Sequence, residues 1–372
     1  MALKKIIAAP DSFKGVLTSK QVADIIAGEA AACFPGCTVV KMPIADGGEG
    51  SVDTIIAAIG GRTFEEQALS PDGRQITAGY GVAPNGTAII EMAQSSGITK
   101  QIGLHPMTSD TFGFGQLIMA ALERGARDFV LCIGGSATTD GGCGMAAALG
   151  FLFFDKHGKS FVPCGGTLGE IARIDAGGAD KRIPESRFTV MCDVDNPLFG
   201  INGAAYVYSP QKGAGPEQVL TLDKGLRHLG AVISGQLGAD HAETPGAGAA
   251  GGLGAGCMAF LGAKLVSGSE AILDLCGFKH HIADADLIIT GEGKLDLQSF
   301  SGKVLSGILR DAGGVPVWSV CGLCECDEAV LREHNLTVFE TSEGISVGES
   351  MAEPEKYLRI ALQRAMQGFQ TY

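Results

Sequence analysis

A chain of 372 residues, 45% hydrophobic and 19% charged, is too long for one ordinary core and too apolar to stay disordered, so two folded domains are expected. The formal net charge of −13, with no segment gathering Lys and Arg into a basic stripe, argues against nucleic acid as a partner. If the substrate is an anion, a few lysines must reverse the potential locally, which singles out Lys14, Lys212, Lys294 and Lys303.

The first residues, KKIIAA, read as a strand; Ser19 to Cys33 reads as a helix with Val22, Ile25 and Ile26 on one face, CTVVKM as a strand and Gly50 to Ile59 as a helix. Residues 62 to 92 alternate and carry the turn signals SPDGR and APNGT, which suit antiparallel hairpins. A helix from Gly113 to Arg124, a strand FVLCIG and a helix from Gly142 to Leu149 follow, then loops rich in Gly and Pro. The uncharged run 246–263 has the length of a membrane span but too many glycines, and reads as a glycine-rich loop leading into a core helix. The end of the chain returns to short apolar strands and amphipathic helices: ADLIIT, Lys303 to Ala312, VPVWSV, Asp327 to His334, LTVFET and Glu353 to Phe369. Both chain ends, 1–67 and 283–372, are expected to build one doubly wound α/β domain on a parallel sheet, interrupted by an inserted α+β domain at 68–282, with a site in the cleft between the lobes.

Eleven cysteines, an odd number spread over the whole length, argue for a reducing compartment rather than a disulfide framework. MALKKIIAAP is too short an apolar run for a signal peptide, so a cytoplasmic protein without membrane association is expected.

Glycine-rich loops at strand ends are the candidate chemistry. APDSFKG offers Asp11, Ser12 and Lys14 behind the first strand, where ligands bind in parallel sheets; capping of the next helix by Ser12 or Thr18 is the plain alternative. MPIADGGEG sets Asp46 and Glu49 around a double glycine, suited to a metal or a hydroxyl, or to no more than a turn. IGGSATTDGGCG runs from strand to helix, and Gly134, Gly135, Ser136, Thr138 and Thr139 can form an anion nest with backbone amides at a helix N-terminus. VMCDVDNP places Asp193 and Asp195 two apart, on one side of an extended segment, able to share Mg²⁺ or divide the roles of base and ligand.

SPQKGA adds Lys212, by itself an ordinary solvated loop lysine. TGEGKLDLQSFSGK contributes Gly291, Glu292, Gly293, Lys294 and Asp296; it has the ingredients of a phosphate loop but not Walker spacing. Gly246, Gly248 and Gly251 match G-x-G-x-x-G, yet polar GADHAETP precedes them where a Rossmann fingerprint needs a strand; these glycines better suit a loop packing against nucleotide or against the other lobe. CGLCEC has no second Cys pair at zinc spacing, and His280 and His281 read as cations at a helix end.

Seven blocks in order, APDSFKG, MPIADGGEG, GGSATTDGG, CDVDNPLFGINGAA, PQKGA, PGAGAAGGLG and TGEGKLDLQSFSGK, span nearly the whole chain and together resemble the type I glycerate kinase family. The resemblance implies a Rossmann-like domain interrupted by a distinct α/β domain, and ATP-dependent phosphorylation of D-glycerate with Mg²⁺, usually to 2-phosphoglycerate in bacterial members. The small-molecule partners would be D-glycerate and ATP, with monomer and homodimer both open. The resemblance carries no catalytic assignment, so roles follow from the chemistry of phosphoryl transfer, which asks for positioning and charge neutralisation. Lys14 and Lys294 would meet phosphate; Asp193 with Asp195 or Glu292 would hold the metal; Asp193 or Asp296 would be the base; Gly134, Gly135 and Ser136 would cradle an anion; Asp11, Ser12, Asp46, Lys212, Gly291 and Gly293 complete the expected site. A dinucleotide-dependent hydroxy-acid dehydrogenase, a kinase acting at the 3-hydroxyl and a non-enzymatic two-lobed binding protein are the competing expectations.

Overall fold

The computed structural model describes residues 3–13, 15–44, 50–300 and 304–370. Lys14, Asp46, Glu49 and Lys303 lie outside the described residues. The chain divides into two compact units, Met1–Asp46 with Ala57–Ile59 and Ser267–Tyr372, and Gly47–Ile56 with Gly60–Val266.

The first unit is built on a five-stranded, wholly parallel sheet in the order Leu336–Glu340, Val317–Cys324, Leu287–Leu295, Lys5–Ala8, Thr38–Lys41. Its two central strands read as unbroken apolar runs because both faces are covered: Ile6, Ile7, Ala8, Leu287, Ile288 and Ile289 are all fully buried. The helix Ser19–Cys33 starts where Thr18 and Gln21 form a reciprocal capping box, and it lays Val22, Ile25, Ile26 and Ala30 into the same core as Leu358, Leu362 and Met366 of the helix Pro354–Gln370. Glu29 of the first helix, nearly buried, takes Arg359 at 2.9 Å and Gln363 at 2.8 Å from the last. The chain therefore enters at Lys5–Ala8, moves outward to Thr38–Lys41, and on its return pairs Leu287–Leu295 with the other side of the first strand. Strand order reverses between these two central strands, which is where the loops leaving their carboxyl ends diverge and a ligand fits.

The second unit holds a six-stranded mixed sheet in the order Lys264–Val266, Arg187–Met191, Asp128–Cys132, Ala88–Glu91, Gln75–Val82, Arg62–Leu69. Its first four strands are parallel and its last three are joined antiparallel by the two expected turns, closed by Ser70 to Arg74 at 2.8 Å and Ala83 to Thr87 at 2.9 Å. Arg62–Leu69 pairs along its whole length with Gln75–Val82, so residues 62 to 67, expected with the first domain, belong to this sheet. Residues 267 to 282 in turn fall in the first unit, where Gly307 of the helix Val304–Asp311 admits Leu273 of the helix Gly268–Leu275 to within about 3.0 Å of a would-be Cβ. A small antiparallel sheet, Ser160–Phe161, Leu152–Phe154 and Arg173–Asp175, adds to the second unit's core. Among the described residues no helix is long and apolar enough to cross a membrane.

Candidate active site

In the first unit a cavity of about 370 Å³ opens at the carboxyl ends of four parallel strands. Asp11 and Ser12 reach it from the loop behind Lys5–Ala8; Glu292, Gly293, Lys294 and Asp296 from Leu287–Leu295 and its end; Gly322 from Val317–Cys324; and Thr341 from just beyond Leu336–Glu340. Asp11 is fastened by its N–H to the carbonyl of Gly291 at 2.8 Å, while its Oδ1 accepts from Ser12 N at 2.6 Å. The loop closes on itself through Phe13 and Leu17, which exchange main-chain hydrogen bonds at 2.8 and 3.0 Å.

The expected loop at 290–303 is instead strand as far as Leu295. Glu292 stands opposite Cys321, Lys294 opposite Leu323 and Leu295 opposite Cys324. Paired glycines permit this: a Cβ on Gly322 would lie 2.4 Å from the carbonyl oxygen of Gly293, and one on Gly291 would lie 2.6 Å from that of Val320. A strand sends residues i and i+2 to one side, so Glu292 and Lys294 share a face. Glu292 accepts from Ser299 Oγ at 2.9 Å; Lys294 pairs with Glu325 at 2.8 Å, and this contact raises the affinity of its ammonium for its proton. Asp296 lies 4.0 Å from Lys294 and also shapes the turn that follows, accepting from Gln298 N at 2.9 Å.

In the second unit two loops leave the neighbouring parallel strands Asp128–Cys132 and Arg187–Met191 just after their last paired residues, Cys132 and Met191. One carries Gly134, Gly135 and Ser136, the other Asp193 and Asp195, both of which are exposed. The N–H groups of Gly134, Gly135 and Ser136 meet no main-chain acceptor among the described residues, as an anion cradle requires. The amides further on are already spent. Asp140, fully buried, accepts from Thr111 N at 2.9 Å, Thr111 Oγ1 at 2.7 Å, Gly144 N at 3.0 Å and Gly142 N at 3.2 Å, and Thr111 Oγ1 accepts from Met145 N at 2.9 Å. The start of the helix Cys143–Ala148, expected to face an anion, is thus capped from within the protein, and any anion would be left with the earlier glycines.

Lys212 is not the solvated loop lysine that its sequence context suggests. It is 2% exposed and donates to Thr138 O at 2.6 Å and Ser136 Oγ at 3.2 Å. Burial pushes its pKa down to about 7, partly opposed by the charge of Asp140. Burial and the neighbouring Asp140 push Asp110 up to about 7, against a hydrogen bond from Phe112 N. The glycine-rich stretch 246–252 follows turns rather than a strand and packs on this same loop: a Cβ on Gly251 would lie 2.0 Å from Thr138 O, and Ala250 takes the left-handed conformation at φ 52°. Its glycines pack closely within their own unit: Gly246 against Cys192 and Leu265, Gly248 against Pro197, and Gly251 against Thr138.

The glycerate kinase family profile matches residues 6–370. A glycerate 2-kinase of Escherichia coli K12 is 42% identical over 337 residues, 89% of this chain and 88% of its own. The chain belongs to the glycerate kinase family. A glycerate kinase of Halalkalibacterium halodurans is 41% identical over 364 residues, 94% of this chain and 96% of its own. The crystal structure of a candidate glycerate kinase 2 from Salmonella typhimurium LT2 superposes with a TM-score of 0.87 at 35% identity, covering 99% of both chains.

For a glycerate kinase family member, then, the expected site residues fall into two sets. Asp11, Ser12, Gly291, Glu292, Gly293, Lys294 and Asp296 belong to the first unit, and Gly134, Gly135, Ser136, Asp193, Asp195 and Lys212 to the second. Sequence reasoning missed Asp140, Thr111 and Asp110, as well as Thr341, Ser350, Val347 and Met351 of the cavity wall. The one signal for Asp140 was its place in TTDGG, where an Asp before two glycines reads as a turn.

Proposed function

We propose that this chain transfers the terminal phosphoryl group of ATP to a hydroxyl of D-glycerate, giving 2-phosphoglycerate. The observation that carries the reading is the family match along residues 6–370, joined by a relative named glycerate 2-kinase at 42% identity. The parts that phosphoryl transfer needs are present as residue types: amides at Gly134 to Ser136 that meet no main-chain acceptor among the described residues, ammonium groups, and carboxylates at strand ends.

In this reading Lys294 and Lys14 neutralise the phosphates, and Gly134, Gly135 and Ser136 hold an anionic group of glycerate or of the nucleotide. Lys294 must exchange Glu325 for phosphate, an exchange made easy by the exposure of both partners. Lys212 acts on Ser136 from behind, fixing its hydroxyl through the contact at 3.2 Å. Asp193 or Asp296 accepts the proton of the attacking hydroxyl.

Magnesium fits the donor set. Mg²⁺ in nucleotide enzymes is held by one or two carboxylates together with phosphate oxygens and water. Asp193 with Asp195, or Glu292, would supply the protein oxygens. When bound, the ion would offset the charge of the phosphates during transfer.

The test is incubation of the purified protein with D-glycerate and Mg-ATP, following ADP and assigning the product by phosphorus NMR. Phosphorus on C2 is expected. Phosphorus on C3 leaves the kinase and overturns the regiochemistry, and no ADP formation overturns the reading altogether.

A further inference from the structure

Val347 and Met351 are 39% and 56% exposed, yet both line the cavity of the first unit. They lie four residues apart on the helix Val347–Ala352 and so share one face. With Phe13, Val16 and Pro354 they form the apolar wall of the cavity. The rest of the lining is polar: Asp11, Ser12, Glu292, Lys294 and Asp296, and the paired hydroxyls of Thr341 and Ser350, 2.7 Å apart and buried. Only one hydroxyl hydrogen is spent within that pair, so the accepting hydroxyl keeps its own to donate.

Shape and polarity together narrow the occupant. The lining joins the apolar wall to carboxylates and hydroxyls, those of Asp11, Glu292, Asp296, Thr341 and Ser350. Glycerate, a small anion, has no surface to cover the apolar wall. A nucleoside satisfies both demands, because its planar uncharged base has large apolar faces and its sugar hydroxyls donate to carboxylates. The volume, about 370 Å³, lies at the small end of the roughly 300–1,000 Å³ usual for ligand sites and admits one nucleoside.

We infer that this cavity takes the adenosine part of ATP, with the base on the wall of Phe13, Val16, Val347 and Met351, the ribose hydroxyls at the carboxylates, and the phosphates leaving past Lys294. The inference rests on the kinase reading above and adds a place for the nucleotide that none of the expected phosphate residues specifies. Val347 and Met351 thereby become specificity residues for the nucleotide, acting through contact with its base.

The experiment uses the full chain and a fluorescent adenine nucleotide, mant-ADP, with Met351→Glu, the milder Met351→Ala, and Val347→Asp. Both positions are exposed, so unchanged melting temperatures are expected for all three variants. Met351→Glu and Val347→Asp should weaken mant-ADP binding by about tenfold or more and raise the KM for ATP in parallel, with Met351→Ala intermediate and the KM for glycerate within about twofold of wild type. Wild-type binding in the charged variants, or a rise in the KM for glycerate instead, overturns the assignment while leaving the kinase reading intact. A wild-type protein that neither binds mant-ADP nor turns over glycerate with ATP overturns both.

Discussion

The ammonium of Lys212 lies 2.6 Å from the main-chain oxygen of Thr138 and 3.2 Å from Ser136 Oγ, and the residue is 2% exposed. Burial holds its pKa at about 7 in the folded chain, well below the unfolded value of about 10.4. Between these values the unfolded chain binds the proton and the folded chain does not, so stability rises with pH from about 7 to about 10 and is flat in this term below 7. Urea unfolding at pH 7 and pH 9 should show the wild type gaining about 2 kcal/mol more than Lys212→Met over that interval. Parallel gains in the two proteins would mean that Lys212 stays charged in the fold.

Asp140 answers four donors with one side chain, Thr111 N, Thr111 Oγ1, Gly142 N and Gly144 N. Asp140→Ala orphans buried donors at the start of the helix Cys143–Ala148 and should cost about 3 kcal/mol or more in denaturant unfolding. Asp140→Asn keeps an acceptor oxygen and should cost about half as much. Equal, small losses would show that water replaces the carboxylate.

Asp110 is held at about 7 by burial and by Asp140, above the usual carboxylate value of about 3.9. The folded chain therefore binds a proton that the unfolded chain has released, and stability in this term falls as pH rises from about 4 to about 7. Asp110→Asn removes the loss. Its unfolding free energy, relative to wild type, should be larger, that is the variant more stable, at pH 8 than at pH 5 by about 2 kcal/mol, and a constant difference between the two pH values would sink the assignment.

Lys294 and Glu325 form an exposed ion pair at 2.8 Å, an arrangement that contributes little to the fold. Lys294→Met should leave the melting temperature unchanged while lowering kcat/KM by about a hundredfold, and Lys294→Arg should recover part of the loss. A lysine that served only the surface would give full activity in both variants.

Asp193 is exposed behind the strand Arg187–Met191, so Asp193→Asn tests chemistry without disturbing a core. A base or an essential metal oxygen at this position predicts a fall in kcat of about a hundredfold or more. Turnover near wild type would remove both roles and turn attention to Asp296→Asn.

Much of the first unit is legible in the residues because its signals are local. Thr18 with Gln21 announces the helix Ser19–Cys33 three positions apart, and IIAA or LIIT can only be strands covered on both faces. The strand Leu287–Leu295 ran past its expected end for a reason two segments away: Gly322 lets Val317–Cys324 approach Gly293. Lys294 was recognisable as a site candidate by type, but its place on a strand, sharing a face with Glu292, was not.

What the chain alone determined was the family, written in seven ordered blocks, and the order of strands and helices, written in apolar period and caps. Only the tertiary structure decided that Lys212 is buried, through a contact with Thr138 74 positions away, and that Asp140 caps its helix with the help of Thr111, 29 positions away. It likewise decided that Val347 and Met351, unremarkable in sequence, share a cavity with Asp11 and Lys294. Propensity and capping act over a turn or two of chain, whereas burial and the charge around a group depend on segments that sequence distance keeps apart and packing brings together.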